Sequence, residues 1–153
     1  MAQSGWCRAP GVLITSGLGS CVGVAIYDPQ AKVGGLAHVM LPDSQQARST
    51  ENRAKFADTA LPDLVEKLEE LGARRHRLVV KIAGGAQMFS FSKNDERFSV
   101  GRRNVEATKR VLGELGLRIT GEDTGGNHGR TMIFTTSDGQ VLIKTIGHGE
   151  KVL

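Results

Sequence analysis

Apolar residues in this chain fall into short β-branched runs between glycine-rich turns, and in two places they switch to helical spacing. Residues 12–15 (VLIT) predict a first strand, and Ser16-Gly17-Leu18-Gly19-Ser20 a tight loop that delivers Cys21. Residues 22–27 and 33–40 flank Asp28-Pro29, which is the signal of an antiparallel hairpin. Residues 43–52 are polar and read as a surface loop. Ala57, Ala60, Leu61, Leu64, Leu68 and Leu71 recur at steps of three and four and predict a helix over 58–71, stopped by Gly72. That start also keeps Pro62 in the first turn, where proline is tolerated. Residues 77–83 form a strand with Leu78, Val80 and Ile82 on one face, broken by Gly84-Gly85. Met88, Phe89 and Phe91 read as local core, followed by a polar loop over 93–100. Val105, Thr108, Val111, Leu112 and Leu115 give a second helix over 104–115. A strand over 117–120 and a glycine-rich loop over 121–130 come next. Residues 130–136 and 141–146 then form a hairpin about Ser137-Asp138-Gly139-Gln140. Residues 1–9 show no period, and 147–153 read as a tail.

The order β-β-β-α-β-α-β-β-β excludes regular βαβ alternation and predicts an α+β layered fold with mixed sheets. Two helices cannot cover both faces of such a sheet system, so a second sheet or a partner must cover the remainder. No linker or long repeat divides the chain, and one domain over 1–153 is expected, with its core in about 10–150.

Composition narrows the function classes. The net charge of +4 is modest, and its densest stretch, 93–110, holds six basic and three acidic residues. With aromatics at 5%, a base-stacking platform is not expected, nor is nucleic acid as a partner. No apolar segment reaches membrane-helix length and no leader is visible, so a cytoplasmic, non-inserted protein is expected. Cys7 and Cys21 do not make a disulfide framework, and a reduced, reactive thiol is the natural reading.

Gly17, Gly19 and Gly23 have the wrong spacing for a dinucleotide loop, and a strand follows where a helix should begin. His38, His76, His128 and His148 show no metal-ligand spacing, so no metal is expected. A cysteine nucleophile fits better. If Tyr27 faces Lys32, Cys21 lies across from His38, with Cβ atoms at about 5 Å on one face. That juxtaposition would make a thiolate–imidazolium pair, with His38 protonating a leaving amine. Backbone N–H groups at Gly19 and Ser20 are placed to hold an oxyanion. Thr15, Ser16 and Ser20 are all near enough to orient the histidine. The bland alternative is a small buried thiol beside a hydrogen-bonded strand histidine, and pairing alone does not decide between the two.

Five blocks in order, GLGSCVGVAIYDP, GGLAHVMLPDS, KIAGGAQMF, GRRNVEATKRVL and GEDTGGNHGR, closely resemble the CheD family of chemoreceptor glutamine deamidases. The resemblance covers nearly all of 10–150. It implies an α/β layered sandwich similar to the catalytic domain of cytotoxic necrotizing factor toxins. It also implies hydrolysis of receptor glutamine side chains to glutamate with loss of ammonia, and a methylesterase side activity in some members. Matched by motif, the family's catalytic set falls on Cys21, His38 and Thr15, with no cofactor.

Partners implied by the resemblance are the cytoplasmic domains of chemotaxis receptors and the CheC phosphatase, which inhibits as a receptor mimic. Contact residues are expected in three blocks: Leu41, Pro42 and Ser44; Gly84, Gly85, Met88 and Phe89; and Asp123, Thr124, Gly125, Gly126 and Asn127. Family members often carry an extra amino-terminal segment suited to an edge strand. Only MAQSGWCRA precedes Pro10-Gly11 here, so that strand is expected to be missing. A silent binding module and a hydrolase of free small amides are the alternatives carried forward.

Overall fold

The computed structural model describes residues 3–49, 51–88 and 99–153. Its strands are β1 (Ser4–Arg8), β2 (Val12–Leu18), β3 (Val22–Asp28), β4 (Val33–Val39), β5 (Val79–Gly84), β6 (Arg118–Thr124), β7 (Arg130–Thr135), β8 (Val141–Thr145) and β9 (Gly149–Val152). The helices are α1 (Ala57–Glu70) and α2 (Val100–Glu114). A five-stranded sheet has the order β1-β4-β3-β5-β6, with β5 and β6 parallel and the other neighbours antiparallel. A second, antiparallel sheet has the order β2-β7-β8-β9. The fold is α+β, as expected, with mixed strands and two α-helices among the described residues.

The layers follow from strands that are apolar on both faces. Val22, Val24, Ile26, Val33, Ala37, Val80 and Ile82 bury one face of the five-stranded sheet against Leu61, Leu64 and Leu68 of α1 and Val111 and Leu112 of α2. Each such Val, Leu or Ile side chain contributes about 1.5–3 kcal/mol on full burial. The opposite face presents Ala25, Tyr27, Leu36 and Ala83 to Met132, Phe134, Val141 and Ile143 of the second sheet. Close approach explains the adjacent glycines of β4. A Cβ on Gly34 would lie 2.5 Å from the Phe134 ring, and one on Gly35 would lie 2.5 Å from Leu64. Among the described residues, no helix is long and apolar enough to cross a membrane.

Several boundaries differ from the sequence-based expectation. The edge strand expected to be missing is present: β1 pairs with β4 from Ser4↔Ala37 to Arg8↔Val33, and Lys67 Nζ of α1 lies 5.4 Å from the Trp6 ring centroid. The expected tail contains β9, paired with β8. β6 runs past residue 120 because it pairs with β5 as far as Gly84↔Thr124, which makes Asp123 and Thr124 strand residues and not loop residues. α2 begins at Val100, earlier than 104. Gly101 lets its first turn lie against the backbone of Gly85 and Ala86, where any Cβ would collide. Pro62 sits in the second turn of α1 and costs one helical hydrogen bond, that to the Asp58 carbonyl. Residues 89–98, including Phe89, Phe91 and most of the expected polar loop, lie outside the described residues.

The hairpin register also differs. Asp28 pairs with Val33 and Gly23 with His38, a shift of two residues that removes the expected Cys21–His38 opposition. The turn sets this register. Asp28 Oδ1 accepts from the Gln30 and Ala31 N–H groups at 2.9 and 3.0 Å, and the Lys32 N–H donates to the Asp28 carbonyl at 2.9 Å. An even shift leaves the facing of every side chain unchanged.

Candidate active site

Three segments converge where the chain passes from the second sheet into the first. β2 carries a bulge, since Thr15 pairs with Met132 but Leu18 with Arg130. Gly17, at φ 68°, supplies the left-handed backbone of the bulge, and Leu18 re-enters the core fully buried. The chain then reaches Cys21 just before β3. Gly23, directly opposite His38, shares its face with Cys21, two residues before it. Such diagonal positions lie about 7–8 Å apart. The Cys21 side chain packs against the cluster between the sheets. Thr15 Oγ1 lies 2.8 Å from His38 Nδ1. Of the three hydroxyls that the sequence left open, Thr15 is therefore the one that holds the ring.

Burial sets the protonation states. His38 is 8% exposed, and desolvation lowers its pKa below the ordinary 6.5. Desolvation also raises the half-buried Cys21 thiol above its ordinary 9.0. Both shifts favour the neutral thiol and neutral imidazole over the ion pair that the sequence suggested. Both cysteines are free, and Cys7 Sγ sits 3.7 Å from Thr136 Oγ1.

The loop before Cys21 is pinned through three successive carbonyls. Gly19 O accepts from Ala86 N–H at 2.8 Å, Cys21 O from Gly85 N–H at 2.9 Å, and Ser20 O from Asn104 Nδ2 at 2.9 Å. Carbonyl and N–H point in opposite directions across a trans peptide, so these bonds aim the Ser20 and Cys21 N–H groups away from the bonded carbonyls. That is the arrangement an oxyanion site needs. The Gly19 N–H, expected at the oxyanion, donates instead to Gly17 O at 3.0 Å.

The expected contact residues divide. Gly84, Gly85, Gly125 and Gly126 come together: Gly125 N–H donates to Gly84 O at 3.0 Å, and Gln87 N–H donates to Gly126 O at 2.9 Å. Gly85, Thr124, Gly125 and Gly126, with Gln87 and Arg102, line a surface pocket of about 390 Å³. Met88 packs over Gly19. Asp123 is turned inward to Arg130, Oδ2 to Nε 3.2 Å, and Arg130 also donates to Gly84 O. Ser44 is tied to Asp58 of α1 by its N–H at 3.0 Å and its Oγ at 2.6 Å. Leu41 bridges to Phe56. Asn127 follows in the loop between β6 and β7, and Phe89 lies outside the described residues. Sequence reasoning missed Asn104 and Arg130. Both are buried polar residues, and the legible sign for Asn104 was an amide on the same helical stripe as Thr108 and Val111.

Residues 40–145 match the family model described as CheD chemotactic sensory transduction. A protein of Caldanaerobacter subterraneus subsp. tengcongensis is 52% identical over 153 residues, covering 100% of this chain and 94% of that protein. One of Moorella thermoacetica is 57% identical over 147 residues, with 95% and 88% covered, and one of Clostridium novyi is 55% identical over 144, with 94% and 89% covered. Each is named "Probable chemoreceptor glutamine deamidase CheD". The family model begins two residues after His38, whereas the full-length match extends over the segment holding Thr15, Cys21 and His38. The chain belongs to the CheD family.

Proposed function

We propose that this CheD-family chain is a hydrolase that deamidates glutamine side chains on the cytoplasmic domains of chemotaxis receptors, with Cys21 as nucleophile. The observation that carries the reading is the 2.8 Å Thr15–His38 contact on the face that Cys21 shares. The names of the relatives supply the substrate class.

In the reaction, His38 Nδ1–H donates to Thr15 Oγ1, which leaves Nε2 as the base. Nε2 takes the Cys21 proton as Sγ attacks the glutamine Cδ, and the oxyanion is held by the outward N–H groups of Ser20 and Cys21. The imidazolium protonates the departing nitrogen, ammonia leaves, and a thioester remains. Nε2 then takes a proton from water as its oxygen attacks the thioester. Breakdown returns the proton to Sγ and frees glutamate. A neutral starting pair suits this cycle, because His38 acts first as base and then as acid.

Gly85, Gln87 and the Gly125-Gly126 turn are proposed to contact the receptor substrate. CheC is proposed as a competitor for the same surface, and receptor methyl esters as second substrates for the same thiol. The test is intact mass and ammonia release after incubation with receptor cytoplasmic fragments. The expected result is the mass gain of an amide-to-acid exchange at defined glutamines. Fragments left unchanged by folded, thiol-reduced protein would overturn the reading in favour of a binding module.

A further inference from the structure

Thr15, Cys21 and His38 arrive on three segments, and the side chain that ties two of them together belongs to none of the three. Asn104, in the second turn of α2, is fully buried. Its Nδ2 spends both N–H groups on the catalytic segments, at 2.9 Å to the carbonyl of Ser20, one residue before Cys21, and at 2.9 Å to the carbonyl of Met40, two residues after His38. Its Oδ1 is buried without a partner. An apolar residue would relieve that cost but would leave the Ser20 and Met40 carbonyls without this donor. Thr108, four residues on and on the same helical face, provides the comparison. It is also fully buried with an unpartnered Oγ1, but it bonds to neither segment.

We propose that Asn104 is a positioning residue for the deamidation, aiming the Cys21 N–H at the oxyanion. This rests on the reading of Cys21 and His38 as the reacting pair. The peptide that carries the Ser20 carbonyl also carries the Cys21 N–H, and the unit is planar. Fixing that carbonyl on Asn104 therefore fixes the opposite direction for the N–H. The second bond, to Met40, ties the same amide to the end of the histidine strand. Two N–H donors on one short side chain are needed. Aspartate keeps the shape but offers acceptors to two carbonyls, and leucine keeps the volume but offers nothing.

The test compares Asn104→Asp, Asn104→Leu, Thr108→Val and Cys21→Ala with the wild type. Readouts are kcat and KM on a receptor fragment, thermal unfolding, and the rate of Cys21 alkylation by iodoacetamide, mapped by peptide mass. Loss of an oxyanion donor lowers kcat by about 10²–10³-fold. Alkylation at sp³ carbon forms no oxyanion and does not draw on that donor. The expected signature is a fall of about 10²-fold in kcat for both Asn104 variants, with KM and alkylation at wild-type values, and Thr108→Val unaffected. Wild-type kcat in either folded Asn104 variant, with Cys21→Ala inactive, overturns the positioning role alone. A parallel loss of kcat and alkylation does the same, because it reports a collapsed loop. An active Cys21→Ala overturns the underlying reading of the reaction, and this proposal with it.

Discussion

Replacing Asp28 by alanine tests the claim that a buried turn carboxylate sets the hairpin that carries His38. Asp28 is fully buried and accepts from the N–H groups of Gln30, Ala31 and Arg74, and from Arg77 Nε at 2.9 Å. Removing one partner of a buried ion pair costs about 3–5 kcal/mol. Arg77 keeps 19% of its side chain exposed and can turn its charge to water, so the lower end, about 3 kcal/mol, is expected. At a urea m-value of about 2 kcal/mol/M, the unfolding midpoint should fall by about 1.5 M. Burial alone would raise the Asp28 carboxyl, but hydrogen bonds from Ala31, Arg77, Arg74 and Gln30 outweigh it and hold the pKa below 3.8. The stabilisation is therefore complete above the unfolded value and fades as pH drops through the folded one. Urea curves from neutral pH downward should show a constant gap between wild type and Asp28→Ala that narrows only below 3.8. Activity per folded molecule should be unchanged, since Asp28 lies five residues, about 17 Å, along β3 from the His38 partner Gly23. A loss under about 1 kcal/mol, or a gap that ignores acid, would refute the assignment.

Thr15→Val is expected to lower kcat about tenfold by freeing the His38 ring, with Thr15→Ser restoring most of it; equal rates in all three proteins would remove Thr15 from the site. Because burial raises Cys21, its alkylation rate in a Cys7→Ser background should still be climbing with pH at 9.0, and a plateau near neutrality would reveal a preformed thiolate. His38 is shifted the other way, so the acid limb of kcat/KM should fall below 6.5 and the alkaline limb above 9.0; a peak confined to a narrow range near neutral pH would contradict a neutral resting pair.

Much of this site was legible because the period of a strand is two. The hairpin pairing was read two residues out, yet Cys21 and His38 keep the same face, since an even slip preserves every side chain's direction. What set the true register was the Asp28 side chain folding back on its own turn, which strand patterning does not encode. β1 was hidden because SGWCR is short and mixed, and its strand character comes from the open edge of β4. β6 looked like a loop because Gly121 and the acidic run after it lack β propensity, and the parallel partner β5 overrides that preference. Gly101 and two arginines disguised the first turn of α2, where the absence of a side chain is what lets helix and loop backbones touch. Asn104 illustrates the limit on the site side. An amide inside a helix is legible as unusual, but its two acceptors are 84 and 64 residues away in sequence.

The central claim is that Cys21 forms a thioester with a receptor glutamine. Acid quenching of the reduced protein during turnover of a receptor fragment, followed by mass mapping, tests it most directly. The expected result is a covalent complex joining the Cys21 peptide to the glutamine that is later recovered as glutamate. That complex should persist in Cys7→Ser and be lost, together with turnover, in Cys21→Ala. Deamidation at the wild-type rate by folded Cys21→Ala would contradict the claim outright.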